Sequence, residues 1–327
     1  MSTTLCLLPN FGAEDGSSLR DVDPELARGL AACWALLYPA DVDAIGLGPL
    51  QRPSWVDPCG VALPLLKTTG GLLPWLSTTA AEEEASLRGL PYLGADPRVT
   101  SALSDKAWAL AVAEEESLVP PCLVGVVRSF SPDDLLHKNA RDHIDEALAS
   151  WPPPLRERFV LKPRRGSSGR GRVAGKGGHL DDAGARGLRR LAARGGALLE
   201  PWLPRTHDLS AQLHIATDGE VSLTGTTAMR STSAGLWAGN DVVWDALDGD
   251  TLRSGSPHDV ELRRAALLIG ARAARAGYRG LLGVDAFAFT TPAGEVAFRP
   301  VVEVNARPTM GAVALGLGRR NAVHRRS

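Results

Sequence analysis

Near the end of the chain, Val302-Glu303-Val304-Asn305-Ala306-Arg307 alternates apolar residues with an acid, an amide and a guanidinium. Side chains alternate across a strand, so Glu303, Asn305 and Arg307 share one face and Val302, Val304 and Ala306 the other. The segment just before it, 282–289, is apolar except for Asp285. Asp285 and Glu303 are equally far in sequence from Gly294, and a hairpin turning there sets them opposite each other. Facing carboxylates repel unless a cation lies between them. Oxygen-only ligands such as these two carboxylates suit Mg2+ or Mn2+. A solvated polar face is the alternative that the hairpin alone leaves open.

A second group lies upstream. Phe159-Val160-Leu161-Lys162 reads as an apolar strand ending in a lysine, followed by a loop containing Gly166, Ser167, Ser168, Gly169 and Gly171. Small residues let backbone N–H groups approach an anion, and Lys162 adds a positive charge, so the segment reads as a phosphate cradle. It matches neither GxxxxGK[ST] nor a GxGxxG after a strand, and a flexible basic loop is the competing reading. Further on, Glu200 ends the apolar run 197–199, just before Pro201-Trp202-Leu203, and Asp208 is placed to accept from sugar hydroxyls or to cap a turn. Arg230, in Thr226-Thr227-Ala228-Met229-Arg230, is either a second functional arginine or a surface one.

The elements that must position these residues follow from pattern. Residues 4–9 and 42–47 read as strands around a helix opened by Asp23-Pro24-Glu25, a strand–helix–strand unit that predicts a small parallel α/β lobe. Helices are expected over 82–90 and 105–116, and a strand over 124–127. Trp151-Pro152-Pro153-Pro154 is a connector, and the Gly- and Arg-rich 172–196 reads as mobile surface. Strands over 159–162, 197–203, 210–216, 221–227, 282–289 and 296–307, with an amphipathic helix over 262–276, suit an α+β lobe on an antiparallel sheet. The stretch 231–245, with Trp237 and Trp244, is either a cover for an acceptor site or a surface loop.

Composition narrows the function classes. The chain has 327 residues, room for two or three lobes, and a formal net charge of −1 that offers no field for nucleic acid or an anionic membrane. There is no signal-peptide pattern and no spanning apolar run. Cys6, Cys33, Cys59 and Cys122 are scattered without CxxC spacing, so free thiols in a cytoplasmic protein are expected.

Taken together, the order and spacing of these motifs over 101–311 resemble the ATP-grasp superfamily, whose two α+β subdomains hold ATP between them. The matching elements are Asp105-Lys106, Lys162 with its glycine loop, Glu200-Pro201-Trp202-Leu203, Asp285, and Glu303-Val304-Asn305-Ala306-Arg307. The resemblance implies an N-terminal Rossmann-like (pre-ATP-grasp) substrate-side lobe over 1–100. It also implies subdomains over 101–196 and 197–327. It implies that Lys106 and Lys162 contact the α/β-phosphates and that the loop folds over the β/γ-phosphates. Glu200 would accept from the adenine amino group, the backbone of Trp202 and Leu203 would bind the adenine edge, and Asp208 would bind the ribose. Asp285, Glu303 and Asn305 would hold one or two Mg2+, or Mn2+, and Arg307 or Arg230 would stabilise the transferring phosphoryl group.

The activity so implied is ATP-dependent ligation. A carboxylate is activated as an acyl phosphate and joined to an amine, with amino acids or peptides as substrates and ADP and phosphate released. A small-molecule kinase and a non-catalytic nucleotide-binding protein are the alternatives. A homodimer through the N-terminal lobe is expected by analogy, with neither nucleic acid nor membrane as partner. Tyr278-Arg279-Gly280 is similar to the lead-in of biotin-dependent carboxylases, but the short segment after Arg307 argues against a carboxylase.

Overall fold

The computed structural model describes residues 5–15, 23–35, 37, 42–46, 48–49, 70–166, 171–231, 237–244 and 252–324. The N-terminal lobe contains β1 (Leu5–Leu8), α1 (Pro24–Ala35), β2 (Val42–Ala44), β3 (Gly48–Pro49), β4 (Gly71–Pro74) and α2 (Thr79–Leu87). Its four strands run in the order β3-β2-β1-β4, with β1 parallel to both β2 and β4, as the strand–helix–strand opening predicts. Leu5, Leu7, Trp34 and Leu37 of this lobe are fully buried.

Two helices follow, α3 (Pro97–Leu103) and α4 (Lys106–Glu115). The central lobe is built from β5 (Arg128–Phe130), α5 (Pro132–Leu136), α6 (Ala140–Ala149), α7 (Pro153–Arg156), β6 (Arg158–Pro163), β7 (Val173–Lys176), α8 (Asp182–Ala192) and β8 (Ala197–Pro201). Its antiparallel sheet has the order β5-β8-β6-β7. The C-terminal lobe holds β9 (Arg205–Ile215), β10 (Val221–Ser231), β11 (Trp237–Asp241), β12 (Val243–Trp244), β13 (Leu252–Arg253), α9 (Asp259–Arg275), β14 (Gly280–Thr290), β15 (Val296–Asn305) and α10 (Met310–His324). Here β10, β9, β14 and β15 are antiparallel neighbours.

The alternation in β9 shows why this sheet forms. Leu209, Ala211, Leu213 and Ile215 enter one core with Leu262, Ala265, Ala266, Ile269 and Ala273 of α9. Their spacing along α9 makes a single helical stripe. Asp208, Ser210, Gln212 and His214 lie on the opposite face, which is the face that carries the candidate site.

Several expectations are corrected. Residues 124–127 form turns after the short 3-10 segment Pro121–Leu123, because Gly125 turns with φ 71°, and the strand begins only at Arg128. The Gly- and Arg-rich stretch 172–196 contains β7 and α8 rather than loose surface. Its glycines serve close packing: a Cβ at Gly187 would lie 2.5 Å from Val173 Cγ2. Residues 167–170 fall outside the described residues, and so do the side chains of Trp237 and Trp244. The expected boundary at 196/197 also moves, since β8 pairs with β5 and β6 and the change of sheet falls between Pro201 and Arg205. Leu103, Ala109, Val112 and Ala113, assigned from sequence to the central lobe, pack instead in the core of the C-terminal sheet. No described helix is long and apolar enough to cross a membrane.

Candidate active site

Gly294 takes φ 83° in the β14–β15 turn, and Asp285 pairs with Glu303. The pairs nearest the turn, from Thr290–Val296 to Phe287–Arg299, would if continued set Asp285 against Val301, so the facing of the two acids depends on a shift of register beyond Phe287. The register shifts between Asp285 and Phe287, so an irregularity sits beside the acidic pair, a place where bulges re-aim side chains. Each oxygen of Asp285 has a donor: Ser210 Oγ donates to Oδ1 at 2.8 Å and Asn305 Nδ2 to Oδ2 at 3.0 Å. With Nδ2 so engaged, Asn305 Oδ1 is the atom that could face a cation. Among the described residues no three His, Cys, Asp or Glu side chains cluster as metal ligands. Two carboxylates and an amide nevertheless fit Mg2+, which takes one or two protein carboxylates and completes its shell from phosphate and water.

Burial, together with the facing charge of Glu303, pushes the Asp285 carboxyl up to about 6, against hydrogen bonds from Ser210 and Asn305 and the charge of Arg307. A raised carboxyl favours the fold below its ordinary value of 3.8, and that contribution is lost as pH rises through about 6. A cation bound there must displace the same proton. Mn2+ affinity, followed by electron paramagnetic resonance, is therefore expected to fall by roughly tenfold per pH unit below about 6 and to level off above it. A flat profile between pH 5 and 8 would remove Asp285 from the ligand set.

Lys106 is positioned by its neighbours. Asp105 caps α4 by accepting from Ala107 N at 2.9 Å, and it takes the Arg164 fork through both oxygens at 3.0 and 2.6 Å. Lys106 N donates to Arg164 O at 3.0 Å. These bonds stitch the start of α4 to the end of β6. Lys106 Nζ then donates to Gly166 O at 2.7 Å and lies 3.1 Å from Glu303 Oε1. The first lysine, the base of the glycine loop and the acidic strand thus meet. Gly166 and Gly171 take φ 128° and 74°, which suits small residues in a turning loop.

Lys162 lies on β6, in the central sheet. Its Nζ is 2.5 Å from Glu200 Oε2, and Arg299 NH2 donates to Glu200 Oε1 at 3.0 Å. Burial alone would raise the Glu200 carboxyl, but Arg299 and Lys162 outweigh it and hold it well below the usual carboxylate range. Glu200 is 2% exposed, with both oxygens engaged. It forms the charged floor of a pocket, with one donor on each oxygen. A cavity of about 440 Å3 opens above it, lined among others by Lys162, Trp202, Leu203, Asp208 and Phe287. Arg158 and Arg172 stack over the Trp202 ring at 5.5 and 5.0 Å, and Arg205 holds Asp208 at 2.9 Å.

A second cavity, of about 290 Å3, is lined by Gly166, Glu303, Asn305, Arg307, Glu14 and a row of hydroxyls that includes Ser77, Thr78 and Ser101. Among the described residues, Lys162, Glu200, Trp202, Leu203 and Asp208 line the first cavity and Gly166, Glu303, Asn305 and Arg307 the second. β6 ends in the first with Lys162, and its continuation, Arg165-Gly166, lines the second. Arg307 forms an ion pair with Glu14 and lies 5.5 Å above the Trp75 ring, both on the N-terminal lobe. Arg230 is not part of the constellation: its side chain is 65% exposed and pairs with Asp241 at 3.2 Å.

Glu14 and Arg299 are absent from the sequence reading. A signal existed for each. Glu14 follows the C-terminal end of the first parallel strand, where α/β sheets build their sites, and Arg299 is the one charge within the apolar run 296–302.

No protein-family model matches the chain, and no curated protein matches it by sequence. Its structure is similar to that of D-alanyl-alanine synthetase A from Vibrio cholerae, with a TM-score of 0.58 and 15% identity over 98% of this chain and 93% of that one. D-cycloserine synthetase aligns with a TM-score of 0.53 and 17% identity over 99% of both chains. Biotin carboxylase from Campylobacter jejuni aligns with a TM-score of 0.54 and 14% identity over 96% of this chain and 67% of its own. Identities this low establish a shared fold and leave function to the site.

Proposed function

From the ATP-grasp fold that the chain shares with these proteins, we propose that it is an ATP-dependent carboxylate–amine ligase acting on amino-acid or peptide-like substrates. The observation that carries the reading is the meeting of Lys106, Gly166 and Glu303 beside a cavity that also presents Asn305, Arg307 and Glu14. The 440 Å3 cavity is assigned to the nucleoside, with the backbone of Trp202 and Leu203 at the base and Asp208 at the ribose. Lys162 and Lys106 are assigned to the phosphates and the glycine loop to their cover. Asp285, Glu303 and Asn305 would hold Mg2+, whose chemistry is to cancel phosphate charge as the phosphoryl group moves.

The 290 Å3 cavity is assigned to the substrates, with the N-terminal lobe as the substrate-side, pre-ATP-grasp domain. Glu14 would receive an ammonium and Arg307 the developing acyl phosphate. In the reaction, a carboxylate oxygen attacks the γ-phosphorus and ADP leaves. The amine then attacks the acyl carbon, phosphate leaves, and the nitrogen gives a proton to water. The hydroxyls of its lining, with Glu14 and Arg307, favour substrates that carry polar or charged groups.

The test is an ADP-release screen with Mg-ATP against amino acids, dipeptides and small carboxylic acids, with product masses read alongside. A product lighter by one water than its two substrates, formed with ADP and phosphate, is expected. Release of AMP and pyrophosphate would overturn the acyl-phosphate route, and a product heavier by a phosphoryl group would make the protein a kinase.

A further inference from the structure

On the face of β9 that looks away from the core, a hydrogen-bond chain leads from the first turn of α10 to Asp285. Ala312 N donates to Thr309 Oγ1 at 3.2 Å, Thr309 Oγ1 donates to Gln212 Oε1 at 2.6 Å, Gln212 Nε2 donates to Ser210 Oγ at 2.8 Å, and Ser210 Oγ donates to Asp285 Oδ1 at 2.8 Å. Ser210 and Gln212 are each 2% exposed, and Thr309 is 9% exposed. The direction of the chain is set by its ends. A backbone N–H can only donate, and an ionised carboxylate can only accept, so every hydroxyl and the amide between them must point its proton toward Asp285. The chain starts at a helix N-terminus, whose partial positive charge polarises it in the same sense.

The backbone around the chain is shaped to admit it. In the sheet register Ser210 lies beside Asp285, and Gln212 lies beside Gly283. A Cβ on Gly283 would lie 2.7 Å from Thr309 Cγ2, and one on Gly311 would lie 2.6 Å from Gln212 Nε2. Two glycines thus clear space for one amide and one hydroxyl. A buried glutamine costs stability unless its amide is bonded, and an apolar residue would fill the position without that demand. The pairing of Asp285 with Glu303 is made between β14 and β15 and does not involve Gln212.

We propose that Gln212, acting through Ser210 and keyed to α10 through Thr309, is a positioning residue that fixes the Asp285 carboxylate for a divalent cation. The inference rests on the metal reading of the site. Because Ala312 and Val313 of α10 pack in one core with Leu5, Leu7 and Trp34, the same chain links the orientation of a cation ligand to the seating of the substrate-side lobe. Partners of this kind typically alter metal affinity by about 10–100-fold when removed.

The test compares Gln212→Leu, Ser210→Ala and Thr309→Val with the wild-type chain. It measures Mn2+ binding by electron paramagnetic resonance, nucleotide affinity with EDTA present, and melting temperature. Gln212→Leu and Ser210→Ala are each expected to weaken Mn2+ binding by about tenfold or more with metal-free nucleotide affinity unchanged, and Thr309→Val to do so by less. Ser210→Ala removes one oxygen and keeps the fold if Gln212→Leu does not. A melting shift in these variants with wild-type Mn2+ affinity would reduce the chain to a structural role and overturn the proposal. If the wild-type chain bound no Mn2+, the metal reading would fall and the proposal with it. Normal Mn2+ effects in a protein that releases AMP would uphold the positioning role and overturn only the ligase route.

Discussion

Replacing Glu303 with Gln is expected to lower Mg-dependent ATP turnover by about a thousandfold while leaving the protein folded. The substitution keeps the shape and removes one of two facing carboxylates, so a cation loses a charged ligand at the point where phosphate charge must be cancelled. A thousandfold corresponds to about 4 kcal/mol of transition-state stabilisation. Two effects on the fold oppose each other. Lys106 loses a carboxylate 3.1 Å away, whereas Asp285 is relieved of the like charge that, after burial, contributes most to raising it. The melting temperature should consequently move by only a few degrees, in contrast to the collapse in rate. Turnover within threefold of wild type at saturating Mg2+ would remove the acidic pair from the chemistry.

The second large effect is on stability. Glu200 sits between Lys162 at 2.5 Å and Arg299 at 3.0 Å and is 2% exposed. Glu200→Gln leaves two cations facing each other across a neutral amide inside the molecule. Breaking a buried pair by removing one partner typically costs about 3–5 kcal/mol. Chemical denaturation should show a loss of that size, and changing Arg299 to Met in the same protein should recover part of it, since the two sites share one interaction. The pH dependence has a definite sign. The Glu200 carboxyl is held below its ordinary 4.5, so its contribution is in place above that value and is withdrawn as pH falls toward the depressed one. The variant should accordingly show a weaker acid-induced loss of stability than the wild-type chain. Equal denaturation midpoints for the two proteins at neutral pH would show that the triad carries no net stabilisation.

The contrast between these two positions follows from their surroundings. Glu303 is divided between a facing carboxylate and the Lys106 ammonium, so its effects on the fold oppose each other, whereas Glu200 is an anion between two cations and works for the fold. Both are acids on strands flanked by apolar residues, and local sequence offers no way to tell them apart. The distinction comes from Arg299 and Lys162, which lie 99 and 38 residues away from Glu200.

Local pattern was sufficient for much of the rest. Period-two alternation determined which face of β15 carries Glu303, Asn305 and Arg307, whereas the Asp285–Glu303 pairing that equal spacing about Gly294 suggests is reached only through the register shift between Asp285 and Phe287, which sequence distance does not encode. The apolar strand ending in Lys162 and the helix beginning at Lys106 were legible because each needs only its immediate neighbours to form. Helix α8 was not legible, since glycines and arginines disguise a stripe whose value depends on Val173 lying against Gly187. The pairing of Arg307 with Glu14, the exclusion of Arg230 and the division of the site into two cavities were likewise decided only when three lobes packed together. Strand alternation and helical periodicity are encoded over a few residues. Which distant charge meets which depends on burial, and burial is a property of the whole packed chain.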